Sequence, residues 1–303
     1  GAMIVIWNPS AGSKAGISTN NDQSEADLRA ILDHHGLQYE LRPTASAHEA
    51  STLAREARER NVDLVVAAGG DGTVRSVARE LIDSRTALGI LPLGSVMNVA
   101  RALDIPRDLD GAAAVLARRG PTPIDVALAN GEPFLEAATV GLHAALFEQG
   151  NRFDRGDKAA LARALWVAVR YRPSRMTIEL DDGIVRTSAL AVFVANGPFA
   201  GLGFPVAPDA RVEDGQLDLR VFERFSRLDL LVHFWQIATG KRGLEPRVAT
   251  YRSTRVRIDA VHALPARADG EPLGWTPVEL SVRPGALRVV RGEPGAGNGL
   301  TDR

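Results

Sequence analysis

The chain has 303 residues, 24% of them charged and 45% hydrophobic, with a formal net charge of −1. That balance suits a soluble globular protein and argues against a general nucleic-acid binder, which needs a basic surface. No cysteine is present, which excludes disulfides and Cys-based zinc sites, and the six scattered histidines offer no i,i+4 pair on one helix face, so no histidine metal site is expected.

Gly1-Ala2 ahead of Met3 reads as an expression scar. The segment after Met3 lacks the basic n-region of a signal peptide and reads as a first strand. No window reaches the roughly 18 uninterrupted apolar residues of a membrane span, so the expected location is cytoplasmic, with peripheral membrane contact left open.

Residues 3–7 form a short apolar strand. Residues 24–35 carry Leu28, Ile31 and Leu32 on one helical face, with Gly36 placed as a C-terminal cap. Ser46 and Glu49 form a capping box opening a helix with Ala50, Leu53, Ala54 and Ala57 inside. A buried strand at 64–67 leads into a helix at 73–83, followed by a strand at 88–91 and a short helix at 96–103. This alternation predicts a Rossmann-like, mostly parallel α/β domain over residues 3–123.

The pattern changes near Ile124. Strands at 124–129 and 134–140 flank Asn130-Gly131, a tight hairpin turn. Strands at 176–180 and 184–196 flank Asp181-Asp182-Gly183. Further strands are expected at 217–222, 254–258, 278–282 and 287–290. Residues 124–291 are therefore read as a mainly antiparallel β domain with one helical insertion at 158–172, and residues 292–303 as a Gly-rich tail.

Five loops carry candidate chemistry. The strongest is Gly69-Gly70-Asp71-Gly72-Thr73, between a strand and a helix. Glycines let a backbone approach an anion, and free helix N-terminal amides favour negative charge. A carboxylate beside phosphates makes sense when it positions Mg²⁺; the plain alternative is that Asp71 caps a helix. Asn8-Pro9-Ser10-Ala11-Gly12 ends the first strand at a position where open α/β sheets bind ligands, without a Walker A or GxGxxG pattern. Ser95 and Asn98 lie in a third loop, polar groups on a helix start that by themselves read as an ordinary N-cap. Acidic residues around Gly215 could hold a hard cation or form a surface turn. Asp269-Gly270-Glu271 offers two carboxylates, either as a base for a hydroxyl proton or as a solvated turn.

Taken in order and spacing, these loops resemble the diacylglycerol kinase catalytic-domain family, which includes bacterial lipid kinases and the sphingosine and ceramide kinases. The resemblance covers nearly the whole chain. It implies an α/β nucleotide domain and a β-sandwich lipid domain with the active site between them. It implies that ATP meets Asn8, Pro9, Ser10, Ala11, Gly12, Gly69, Gly70, Asp71, Gly72, Thr73, Arg75 and Ser95, with Thr44 a further candidate. It also implies that Asp71 acts through Mg²⁺, that Glu271 supported by Asp269 is the base, and that a structural Mg²⁺ is held by Asp214 with the carbonyls of Arg211 and Gln216. One motif departs from the family pattern of Gly-Thr-x-Asn followed by Asp or another residue: Gly94 is followed by Ser95, Val96, Met97 and Asn98, so Asn comes one position late and the acid many relatives carry next is absent.

The expected activity is transfer of the γ-phosphate of ATP to the hydroxyl of a diacylglycerol-like lipid. Two other readings are an NAD kinase, which shares the GGDGT logic, and a catalytically weak lipid-binding protein on a kinase scaffold. Residues 152–175 hold seven basic side chains and two acids around Trp166 and Tyr171, which suits either a membrane-facing helix or one packed on the β domain. An unpaired sheet edge leaves a homodimer open.

Overall fold

The structure, a computed structural model, describes residues 2–11, 25–145, 166, 170–201, 203, 205–224 and 247–295. The first half runs β1 (Met3–Trp7), α1 (Glu25–His34), β2 (Glu40–Pro43), α2 (Ala47–Glu59), β3 (Leu64–Gly69), α3 (Asp71–Leu81), β4 (Ala87–Pro92), α4 (Asn98–Ala102) and α5 (Leu109–Arg118). β1 pairs in parallel with β2 and β3, and β3 with β4. Strands covered by helices on both faces must be apolar along their length, and β1, β3 and β4 are almost wholly buried. α3 turns Val74, Val77, Ala78 and Leu81 toward that core at helical spacing.

Local signals explain the helix starts. Ser46 accepts the Glu49 N–H at 3.1 Å, as the capping box requires, while Glu49 returns to the Ala45 N–H at 2.7 Å. α3 begins at Asp71, two residues before the expected start, so the acid of the glycine turn sits in the first helical turn. α5 was not anticipated from sequence: its buried face is only Ala112, Ala113 and Leu116, too weak a stripe to stand out.

The second half runs β5 (Pro121–Ala129), β6 (Glu132–Phe134), β7 (Ala137–Gly141), β8 (Ser174–Leu180), β9 (Gly183–Ala189), β10 (Ala191–Ala195), β11 (Leu217–Arg224), β12 (Arg247–Ser253), β13 (Arg255–Ala260), β14 (Pro265–Ala268), β15 (Glu271–Trp275) and β16 (Val278–Val290). One sheet is ordered β12-β11-β10-β7-β14-β15; in the other, β16 links β4 to β13, β8 and β9, with β5 and β6 alongside. Phe134, Ile178, Val192, Leu219, Val256 and Leu280 fill the space between the two sheets.

Two expected strands are each broken. The run 134–140 breaks at Leu135-Glu136 and the run 184–196 at Leu190, and at both points the chain crosses from one sheet to the other. Conversely, the two strands expected at 278–282 and 287–290 are one strand, β16, with a register shift between Arg283 and Leu287. Its first part carries Val278 and Leu280 into the β core. Its last part sits beside β4, with Val289 opposite Leu88, and carries Leu287, Val289 and Val290 into the α/β core. The final strand of the second half thus belongs physically to the first, which makes the two halves share one sheet. Gly12 lies outside the described residues, as do residues 296–303 of the tail and most of the 158–172 segment.

Candidate active site

Because β1, β3 and β4 are parallel neighbours, their carboxyl ends fall on one edge of the sheet, and the loops that follow them converge there. The Asn8 N–H donates to the Ala68 carbonyl at 2.9 Å, and the Leu93 N–H to the Gly69 carbonyl at 3.0 Å. Two glycines make the approach possible. A Cβ on Gly69 would lie 2.6 Å from Thr73 Oγ1, and one on Gly94 would lie 2.8 Å from the Gly70 Cα. Asn8 donates its Nδ2 to Thr73 Oγ1 at 3.4 Å, tying the first loop to the start of α3. The N-cap of that helix is Gly70, which has no side chain to cap it, and a helix start of this kind suits an anion.

Asp71 is engaged across the loops. Its two oxygens accept the backbone N–H groups of Met97 and Asn98, each at 2.9 Å. It therefore caps α4, the neighbouring helix, and fixes the Ser95–Asn98 segment, in which Met97 has φ 57. Each carboxylate oxygen has a second lone pair, so this duty leaves acceptor capacity for a metal-bound water. Ser95 is exposed. Thr44 is buried, and its hydroxyl donates to the Ser46 carbonyl at 2.9 Å and to Glu49 at 3.2 Å, inside the start of α2.

The β half meets these loops through Glu136, a residue that sequence alone did not single out. The chain leaves one sheet for the other at Leu135-Glu136, so these two N–H groups have no strand partner. Asp269 supplies both acceptors at 2.8 Å. Asp269 sits in the β14–β15 turn at φ 47, followed by Gly270 at φ 80, a left-handed pair suited to a tight hairpin. The Glu136 side chain points the other way, toward the α/β half, and accepts Asn98 Nδ2 at 2.8 Å and Arg75 Nη1 at 3.2 Å. Its side chain is 6% exposed. Burial, then the Asp269 charge, pushes its carboxyl up to about 7, against the pull of Arg75 and Asn98. Asp269 is raised too, chiefly by burial. The one signal in the sequence was an acid inside the apolar run 134–140. Glu271, by contrast, is exposed at the start of β15, and no polar contact of its side chain is found among the described residues.

The acidic loop at 209–218 is separate. Asp214 accepts the Gln216 N–H at 3.1 Å and lies 3.9 Å from Arg252 Nη1. Burial and the neighbouring Asp218 raise its pKa. Asp218 receives Arg252 Nε at 3.0 Å on one oxygen, while its other oxygen is buried with no partner among the described residues. Buried Asp125, also missed from sequence, pins the loop by accepting the Gly215 N–H at 2.7 Å. Elsewhere, packing of α1 on α5 brings His34, His35 and Asp110 together, with ligand-type atoms within 4.8 Å of one another. Sequence spacing along one helix could not show this tertiary grouping; a His35–Asp110 hydrogen bond of 2.9 Å accounts for part of it.

A parallel α/β half with three converging loops, two of them glycine-bearing among the described residues, joined to an antiparallel half that presents a carboxylate turn, is the architecture of a two-domain kinase. Residues 2–129 match the diacylglycerol kinase catalytic domain, and residues 137–291 match the YegS C-terminal NAD kinase beta sandwich-like domain. The chain belongs to this family of lipid kinases. It is 31% identical over 264 residues to the "Probable lipid kinase YegS-like" protein of Klebsiella pneumoniae (strain 342), covering 85% of this chain and 88% of that one. It is 27% identical over 286 residues to the "Diacylglycerol kinase" of Bacillus subtilis (strain 168), covering 91% of each. A crystal structure of a diacylglycerol kinase from Bacillus anthracis str. Sterne superposes with a TM-score of 0.71 at 21% identity, over 96% of this chain and 97% of that one, which bears on fold alone. Among the described residues no helix is long and apolar enough to cross a membrane.

Proposed function

We propose that the protein transfers the γ-phosphate of ATP, with Mg²⁺, to the hydroxyl of a diacylglycerol-like lipid. The observation that carries this reading is the start of α3 at the glycine turn, with Gly70 as its N-cap, linked through Arg75 and Glu136 to the Asp269-Gly270-Glu271 turn. Phosphates would meet the α3 amides, Gly69, Gly70, Gly72 and Thr73, with Asn8, Pro9, Ser10, Ala11, Gly12, Thr44, Arg75 and Ser95 as the remaining nucleotide contacts. Mg²⁺ supplies charge neutralisation of the phosphates. Asp71, with lone pairs to spare beyond Met97 and Asn98, fits a metal-bound water. Glu271, exposed and without a polar partner among the described residues, is the proposed base, and Asp269, whose oxygens already hold two backbone amides, is its support.

A second cation fits the acidic loop. Hard oxygen donors suit Mg²⁺, and the orphaned Asp218 oxygen beside Asp214 marks a local excess of negative charge that Arg252 offsets only in part. Asp214, with the carbonyls of Arg211 and Gln216, is proposed to hold this ion in a structural role.

Membrane contact through residues 158–172 belongs to the same proposal; of these, Trp166 is 59% exposed and Arg170 lies 4.5 Å above its ring. Co-sedimentation that rises with the anionic lipid content of vesicles supports it, and indifference to that content removes it. Homodimerisation through β9, the last strand of its sheet among the described residues, is testable by light scattering.

The description of the second domain as NAD kinase-like gives one alternative acceptor, NAD. Incubation with radiolabelled ATP, Mg²⁺ and either mixed lipid micelles or NAD separates the readings. Label in the lipid fraction supports the proposal; label in NADP supports the alternative; no label in either supports a non-catalytic lipid binder.

A further inference from the structure

Counted from Gly94, Asn98 stands where many members of the family carry an acid after Gly-Thr-x-Asn. The position is not on the surface: Asn98 is 2% exposed at the start of α4, and its own N–H is held by Asp71. Its Nδ2 donates to two acceptors at 2.8 Å, Glu136 Oε2 and the Gly201 carbonyl, both from the β half. A carboxylate is therefore present at this point of the site, but it arrives from the opposite domain. Glu136 makes three connections at once. Its Oε2 meets Asn98, its Oε1 meets Arg75 one turn into α3, and its backbone N–H is held by Asp269 of the acceptor-side turn.

We propose that Glu136 replaces the acid absent after Met97, and that it is the positioning residue that holds the phosphate loops of the α/β half against the Asp269 turn of the β half. The inference rests on the kinase reading above. A bare amide at 98 could neither neutralise Arg75 nor draw the β half in. A carboxylate at 136 does both, and the amide at 98 becomes its donor rather than its rival. The pairing also accounts for why an amide and not an acid stands at 98. An aspartate there would confront Glu136 carboxylate to carboxylate inside a site that already holds Asp71 and Asp269, and like charges so close are strongly unfavourable.

The charge exchange can be tested by reversing it. Glu136→Gln keeps side-chain length and the Arg75 hydrogen bond but loses the Asn98 one, since its NH₂ then meets Asn98 Nδ2, and thermal unfolding checks that the protein stays folded. It removes the charge without touching the backbone link to Asp269. The expected result is a fall in kcat of at least about tenfold with no rise in the KM for ATP, because the carboxylate orients groups and does not itself bind phosphate. Asn98→Asp alone should lose still more. The double variant Asn98→Asp with Glu136→Gln restores one acid and one amide, and should exceed Asn98→Asp by at least about tenfold. The Gly201 carbonyl loses its donor in both proteins that carry Asn98→Asp, so the comparison within that pair is the clean one. Thermal unfolding of all four proteins carries the same cycle without ligand, and the double variant should melt above Asn98→Asp. A double variant no more active and no more stable than Asn98→Asp overturns the proposal, as does a Glu136→Gln protein with unchanged kcat. A wild-type protein that binds Mg·ATP in calorimetry yet phosphorylates no lipid overturns the acceptor reading instead, leaving the unfolding cycle to decide on Glu136. A wild-type protein that binds no Mg·ATP overturns the kinase reading and the proposed role of Glu136 with it.

Discussion

Asp269 holds the backbone N–H of Glu136 at 2.8 Å from one carboxylate oxygen and that of Leu135 at the same distance from the other. These amides lie where the chain leaves one sheet for the next and no strand can pair with them. Removing an acceptor for a buried N–H costs about 1–3 kcal/mol. Asp269→Asn is therefore expected to lower stability by that order as well as impairing turnover. Glu271→Gln, at an exposed position, should leave the unfolding midpoint unchanged and reduce kcat by at least about tenfold. Chemical denaturation alongside initial rates separates the two. A Glu271→Gln protein with full kcat would transfer the role of base elsewhere.

Asp71→Asn should also show two effects. Asparagine offers one oxygen where Met97 and Asn98 present two N–H groups, so one amide meets an NH₂ donor. A stability loss of about 1–3 kcal/mol is expected, together with loss of detectable lipid phosphorylation. Near-normal turnover in the folded variant would count against any part for Asp71 in handling Mg²⁺.

Gly72 offers a cleaner probe of the phosphate site. It lies in the first turn of α3, and a Cβ there would meet no atom within 4 Å. Gly72→Ala should therefore raise helix stability slightly, by up to about 1 kcal/mol. If phosphates approach this turn, the added methyl group should weaken Mg·ATP binding by about tenfold or more. Calorimetry showing unchanged affinity would place the nucleotide away from these amides.

Glu136 predicts a pH signature in stability. Its carboxyl is raised from 4.5 to about 7 by burial and by Asp269, with Asp71 adding to the rise and Arg75 and Asn98 opposing it. A group whose pKa is higher folded than unfolded contributes stability that is complete below the unfolded value and lost as pH rises through the folded value. Between about pH 4.5 and 7 the wild type should thus lose stability, on the order of 1–3 kcal/mol, relative to Glu136→Gln, which does not titrate there. Asp269 shifts in the same direction but is common to both proteins. Parallel stability curves for the two proteins would show that Glu136 is charged throughout.

The acidic loop predicts a metal effect. Mg²⁺ should raise the melting temperature of the wild type and leave that of Asp214→Asn unaffected, since binding to the folded state alone stabilises it. Equal shifts in both proteins would assign the effect to another site.

Much of the α/β half was legible from residues alone. β1, β3 and β4 are short apolar runs, α1 to α3 carry 3.6-residue stripes, and Gly69, Gly70 and Asp71 mark the turn from β3 into α3, so period and turn chemistry suffice for these, while β2, a half-exposed Glu-Leu-Arg-Pro, and α5 give no such signal. The β half was legible only as strands. Nothing local marks Leu135-Glu136 or Leu190 as the points where a run changes sheets, because β propensity is the same on either side and the break is decided by which core each part can enter. The same holds for β16, whose two ends answer to two different cores. Asp269 and Glu271 are indistinguishable as letters in a turn; burial against the Leu135 and Glu136 amides separates them. Glu136 itself was visible only as an acid in an apolar run. Its significance lies in contacts with Arg75 and Asn98, 61 and 38 residues away. A carboxylate inside a protein persists only where donors satisfy it, and donors that distant in sequence are brought to it by the tertiary structure.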